Sequence, residues 1–200
     1  MPDNRKQLIE KILDIETSMI QRVPSKVRAQ CQESPETFRL MRGPQFVDWS
    51  EDTLQSYYND LVEAERKGDN LLTLKYARMD NLIACINLDP LIDKISQIQF
   101  EWQKELASKY PNLSSQTGRS VQETTEPGMM GRVGFKAYLM AELETYSHNT
   151  LKLLYDDILE CKRKGINMSK DIYLELVTKL GFNSLEQAEQ LAEQGKKKRL

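Results

Sequence analysis

Two stretches of this 200-residue chain decide its architecture: Ser50 to Asn70 (SEDTLQSYYNDLVEAERKGDN) and Ser147 to Asn167 (SHNTLKLLYDDILECKRKGIN). At a constant offset of 97, Ser50 matches Ser147, Thr53 matches Thr150, Leu54 matches Leu151 and Tyr58 matches Tyr155. Asp60 matches Asp157, Glu63 matches Glu160, Arg66-Lys67-Gly68 matches Arg163-Lys164-Gly165, and Asn70 matches Asn167. With Phe38/Phe135 and Tyr76/Tyr173 added, residues 38–76 and 135–173 share twelve identities in 39 ungapped positions. Shared helix composition does not force Gly, Asn and Tyr into one register. The physical reading is a helical hairpin written twice. Serine caps the first helix, and Lys-Gly closes it with a cation at the negative dipole end and a glycine free to turn left-handed. Asparagine then starts the second helix.

One hairpin cannot bury its apolar face alone, and two are too few for an open solenoid, so the expected fold is all-α. We expect a compact bundle of two repeated hairpins, about 38–76 and 135–173, packed around a pseudo-twofold axis in a single domain spanning 1–200. Tyr58 and Tyr155 are expected to face the partner helix, and a cleft between the halves would be a natural ligand site.

Outward from the hairpins, Leu8, Ile9, Ile12, Leu13, Ile15, Met19 and Ile20 recur at steps of three and four, so 7–20 is an amphipathic N-terminal helix outside the repeat. Ser34-Pro35 marks a helix start and Gly43-Pro44 an irregularity within about 36–48. The pattern predicts a helix over 71–88, another over 91–109 after Asp89-Pro90, and a long loop over 112–132 containing Gly128-Met129-Met130-Gly131. Helices follow at about 133–146, 149–164, 169–180 and 184–193.

Composition narrows the function. Apolar residues make up 40%, and 28 basic residues stand against 30 acidic ones for a net charge of −2. That excludes disorder as the main state and a strongly basic nucleic-acid binder. No apolar run approaches the roughly 18 residues of a membrane span. The polar N-terminus and three widely spaced cysteines, Cys31, Cys85 and Cys161, point to a cytoplasmic protein without a disulfide framework. With one histidine and no CxxC, no metal site is assigned, and the sequence names no cofactor either way. The basic tail, 196–199, reads as a solvated end.

One cluster looks chemical: Arg28-Ala29-Gln30-Cys31-Gln32, then Phe38, Met41-Arg42, Gln45-Phe46 and Trp49. Arg28 and Arg42 could fork a carboxylate or phosphate, with Gln32 and Gln45 orienting it by amide hydrogen bonds. Cys31 beside Arg28 could be an activated thiolate. A purely structural reading stands beside these: a buried cysteine, with Arg and Gln groups satisfying loop carbonyls.

This cluster resembles the bacterial family grouped as domain of unknown function 4125, helical proteins of uncharacterised role. The resemblance rests on Glu16 and Met19; Arg28-Ala29-x-Cys31-Gln32; Thr37-Phe38-x-x-Met41-Arg42-x-x-Gln45-Phe46-x-x-Trp49; Lys75-Tyr76-x-x-Met79; Tyr110-Pro111; and Thr145-Tyr146-Ser147. Lys26-Val27 stands where the family pattern has Gly-Gly. The resemblance implies a nearly full-length match and an association with nucleotidyltransferase-like domains, but no reaction.

The resulting expectation is a protein that binds an anionic small molecule through Arg28, Gln32, Arg42, Gln45, Trp49 and Lys75. Cys31 and Glu16 are the candidate catalytic groups if it is an enzyme. The alternative is a non-catalytic interaction module for a nucleotidyltransferase-like or other protein partner. Contact with a membrane is excluded and contact with nucleic acid is not expected.

Overall fold

A computed structural model describes residues 4–24, 30–116 and 134–197, and all regular structure among them is helical. In chain order the helices are α1 (Asn4–Gln21), α2 (Gln30–Glu33), α3 (Pro35–Arg42), a 3-10 turn (Gly43–Phe46), α4 (Glu51–Lys67), α5 (Leu71–Met79), α6 (Pro90–Lys109), α7 (Pro111–Gln116), α8 (Phe135–Leu143), α9 (His148–Arg163), α10 (Met168–Lys179) and α11 (Leu185–Lys197).

The capping residues read from the sequence hold these helices. Ser34 caps α3 by accepting from Thr37 N at 3.2 Å, with Pro35 in the first turn. Ser50 Oγ accepts from Thr53 N, and Ser147 Oγ from Thr150 N. Gly68 and Gly165 end α4 and α9 at φ +80° and +71°, in the left-handed region where a side chain would be strained. Asn70 and Asn167 cap the helices that follow.

Helices α4 and α9 also cap each other. Asp157, in α9, accepts from Ser50 N at 2.8 Å and from Thr53 Oγ1 at 2.6 Å. Asp60, in α4, accepts from Ser147 N at 3.0 Å and from Thr150 Oγ1 at 2.7 Å. Each carboxylate thereby satisfies the positive end of the opposite helix. Between them Ser56 Oγ and Thr150 Oγ1 lie 2.7 Å apart, buried.

Neither expected hairpin packs chiefly on itself: α4 packs on α1 and α9, α9 packs on α6, and α5 and α10 turn to α8 and α6. Asn70 donates from Nδ2 to Met19 O of α1, and Asn167 from Nδ2 to Trp102 O of α6. Lys11 of α1 lies 5.9 Å from the Tyr58 ring, and Lys94 of α6 lies 5.9 Å from the Tyr155 ring. The two tyrosines thus pack toward these flanking helices. Ile12 and Ile95 are both fully buried in the main core. A second apolar cluster joins Leu106 and Tyr110 to Tyr173, Val177, Leu185 and Ala188.

Two expected elements differ. The helix expected over 71–88 stops at Met79. Asn81 adopts φ +56°, a left-handed conformation that asparagine tolerates, and Leu82 N bonds back to Ala77 O. The apolar residues that suggested continuation, Leu82 and Leu88, face outward at 75% and 88% exposure. The loop expected over 112–132 begins instead as α7, whose first-turn amides at Asn112 and Leu113 are held by Glu189 of α11 at 2.9 and 2.7 Å. The remainder of that loop, with Gly128 to Gly131, lies outside the described residues, as do Lys26-Val27 and the last three residues.

Asp60→Ala and Asp157→Ala should each destabilise by about 1–2 kcal/mol, by matching amounts, in urea titration. A loss confined to one of the two would refute a reciprocal role.

Candidate functional site

The candidate residues converge only in part. Arg42, at the end of α3, is buried against two carboxylates. It meets Glu16 of α1 through Nε at 2.8 Å and Nη2 at 2.7 Å, and Glu142 of α8 through Nη1 at 2.6 Å. Glu142 continues to Lys75 of α5, Oε2 to Nζ at 2.5 Å, and Lys75 donates to Tyr138 Oη at 2.6 Å. Tyr57 donates to Glu16 at 2.6 Å and Tyr146 to Glu142 at 2.8 Å. Glu16, fully buried, and Lys75, 3% exposed, complete the network. The planar fork of Arg42 is therefore filled by the chain's own carboxylates.

Burial alone would raise the Glu142 carboxyl, but Arg42 and Lys75 outweigh it and hold the group well below the usual carboxylate range. Burial likewise opposes the Arg42 charge, and Glu142 with Glu16 keep the guanidinium firmly protonated. Burial, with nearby carboxylates, pushes both Tyr57 and Tyr146 far up, so each stays a donor.

Beside this network lies a cavity of about 340 Å³. Phe38, Met41, Arg42, Gln45 and Trp49 of the motif segment line it together with Tyr138, Leu139, Glu142 and Tyr146. Gln99 and Gln103 of α6 and Ser169, Tyr173 and Leu176 of α10 enclose the rest. Trp49 meets Phe46 and Tyr146 edge-on, at 5.2 and 6.1 Å between ring centroids.

Glu16 and Lys75 stand behind this wall and do not line it. Gln32 lies elsewhere, donating to Val23 O at 2.9 Å beyond the end of α1. Arg28 and the side chain of Cys31 fall outside the described residues. Glu144 and His148, weighed as a pair, part company: Glu144 binds Arg78 and His148 binds Asp89. Among the described residues no group of three or more His, Cys, Asp and Glu could hold a metal ion.

Sequence reasoning missed Glu142, Tyr138 and Asp48. Glu142 sits in an otherwise apolar run, Tyr138-Leu139-Met140-Ala141-Glu142-Leu143, a signal that its charge must find a buried partner. Asp48 lines the cavity, and its Oδ2 is buried with no hydrogen-bond partner. Burial, together with Asp171 and Asp157, raises its carboxyl to about 6 against the opposing pull of Arg5.

Residues 6–190 match the family described as protein of unknown function (DUF4125), so the chain belongs to that family. No curated protein and no solved structure matches it. Among the described residues no helix is long and apolar enough to cross a membrane.

Glu142→Gln should cost about 3–5 kcal/mol at pH 7, because it strands the buried Lys75 and leaves Arg42 with Glu16 alone. Since the folded carboxyl lies below its unfolded value of 4.5, Glu142 stabilises fully above that pH and progressively less as pH falls toward the folded value. The gap between wild type and Glu142→Gln in urea midpoints should therefore narrow below pH 4.5. A constant gap would show that the ion pairs do not form.

Proposed function

We propose that this member of the family binds a small organic molecule in the cavity between α3, α6, α8 and α10, with Arg42 and Glu142 as its fixed polar wall. The carrying observation is that five residues of the motif segment, Phe38, Met41, Arg42, Gln45 and Trp49, line one space of about 340 Å³. That volume falls in the range of small-molecule sites, about 300–1,000 Å³, and aromatic walls with a few placed polar groups are their usual lining. A carboxylate or phosphate, the ligand expected from the sequence, must displace Glu142 or Glu16 from Arg42. A neutral or cationic group meets Glu142, Gln99 and Gln103 without that cost. In this reading Glu16 positions Arg42 and does not touch the ligand.

The duplication belongs to the same proposal, and it reaches further than the hairpins. Leu8-Ile9-Glu10-Lys11-Ile12-Leu13-Asp14-Ile15-Glu16 and Leu91-Ile92-Asp93-Lys94-Ile95-Ser96-Gln97-Ile98-Gln99 share five identities at an offset of 83. The matching packing of α1 on α4 and of α6 on α9 supports it. The repeating unit is then a long helix, a linker segment and a hairpin, and the N-terminal helix is not an extra. Both members of several pairs 97 apart line the cavity: Phe38 and Phe135, Gln45 and Glu142, Trp49 and Tyr146, Tyr76 and Tyr173.

Filling the space tests the site. Leu139→Trp should leave the unfolding free energy from urea titration within about 1 kcal/mol and abolish ligand-induced rises in Tm, which follow RT ln(1 + [L]/Kd). Small aromatic compounds that stabilise both proteins equally, or none that stabilises the wild type, would overturn the assignment.

A second reading, an interaction module, is favoured by the outward-facing Leu82 and Leu88. If a protein partner covers them, Leu82→Ser with Leu88→Ser should abolish its capture without changing Tm, and unaltered capture would remove this reading.

A further inference from the structure

Asp48 follows the 3-10 turn and contributes to the cavity wall. Its Oδ2 is the one buried side-chain nitrogen or oxygen among the described residues that lacks a hydrogen-bond partner. A buried carboxylate oxygen without a donor is costly, and such groups in folded proteins call for an explanation. The ionic network beside it is complete and can lend no donor. Arg42 is divided between Glu16 and Glu142, and Lys75 serves Glu142 and Tyr138.

The surroundings of Asp48 carry more acid than base. Asp157 of α9 and Asp171 of α10 act on it as like charges, and Arg5 of α1 is the opposing cation. Arg5 spends its guanidinium on backbone carbonyls, Phe46 O at 2.6 Å, Val47 O at 2.5 Å and Trp49 O at 3.2 Å. Cys161 faces the same carboxylates; burial and these charges push its thiol up to about 11, so it stays neutral near pH 7. Next to Asp48 in the lining stands Trp49, and Phe38 and Tyr173 add further rings. Aromatic faces attract cations and repel anions.

We infer that the cavity takes a protonated amine on a compact apolar body, its ammonium donating to Asp48 and its body lying among the aromatic walls. This rests on the reading of the cavity as a small-molecule site. The apolar body supplies burial, and the ammonium supplies a countercharge to the Asp48 carboxylate at the cavity wall, which reduces the penalty of an isolated carboxylate. It also sets a direction in pH. Protonating Asp48 near pH 6 removes the charge that the ammonium needs.

Three probes of nearly equal shape test it by calorimetric titration at pH 7.5: 2-phenylethylamine, 2-phenylethanol and phenylacetate. The amine should bind about tenfold more tightly than the alcohol. Asp48→Asn should weaken the amine about tenfold and leave the alcohol within about twofold. Moving the wild type to pH 5 should shrink the amine's advantage. Equal binding of amine and alcohol, or an unchanged preference in Asp48→Asn, overturns the inference and leaves the cavity reading intact. Tightest binding by phenylacetate overturns it in favour of an anion. If none of the three binds, or if all bind equally well to Leu139→Trp, both readings fall.

Discussion

The arrangement of the helices depends on one buried chain of charges, Glu16–Arg42–Glu142–Lys75. Taking an ion out of water costs several kcal/mol even after relaxation, and attraction between partners repays it only when every group is satisfied. Here the four charges sum to zero, and hydroxyls of Tyr57, Tyr138 and Tyr146 take up further hydrogen-bonding capacity. The members come from α1, α3, α5 and α8, so a shift of α3 or α8 strands an end of the chain, Glu16 or Lys75, and a shift of α1 or α5 removes one of the two partners of Arg42 or Glu142. Such a network adds less to net stability than apolar packing of the same volume would. What it does is penalise alternative packings, and it does so beside the cavity, where placement of Arg42 and Glu142 matters most.

The reciprocal caps at Asp60 and Asp157 constrain a different degree of freedom. The ionic chain ties the flanking helices to the centre, and the caps set the register of α4 against α9. A slide of one helix turn, about 5.4 Å, would break the cap bonds at both ends together. The exposed pairs Glu63–Arg66 and Glu160–Arg163 recur 97 residues apart. Salt bridges of this kind contribute little. Their carboxyls sit at about 2 chiefly because of hydrogen bonds from the neighbouring arginines.

Local features were legible from the sequence because their partners are local. Ser50, Ser147, Gly68 and Gly165 act within one or two turns, and their roles follow from residue type and spacing. Arg42 was recognisable as a fork but not for what it holds, since Glu16 and Glu142 lie 26 residues before it and 100 after it. The end of α5 was hidden because Leu82, Ile86 and Leu88 mimic a buried helical face while remaining exposed. Asp48 gave no local signal, since an aspartate between Val47 and Trp49 looks like a solvated turn residue until the cavity closes around it. The sequence similarity between α1 and α6 was overlooked because its offset of 83 differs from the 97 that relates 38–76 to 135–173.

On the duplication reading, the cavity's polarity has a direction. The Arg42 position is occupied by Leu139 in the second copy, Lys75 by Ile172, Tyr57 by Leu154 and Asp48 by Thr145. Glu142 has Gln45 as its counterpart, and Glu16 has Gln99. Each ionic group of the network, and Asp48 beside it, thus faces a neutral residue at the related position, while the aromatic pairs Phe38/Phe135, Trp49/Tyr146 and Tyr76/Tyr173 are retained. A fully symmetric cavity would accept a ligand in two equivalent orientations. Confining charge to one set of positions and keeping aromatic walls in both separates two tasks. On the proposed reading, the rings present at both positions would provide the binding volume, and the charges present at only one would decide which way round an occupant lies.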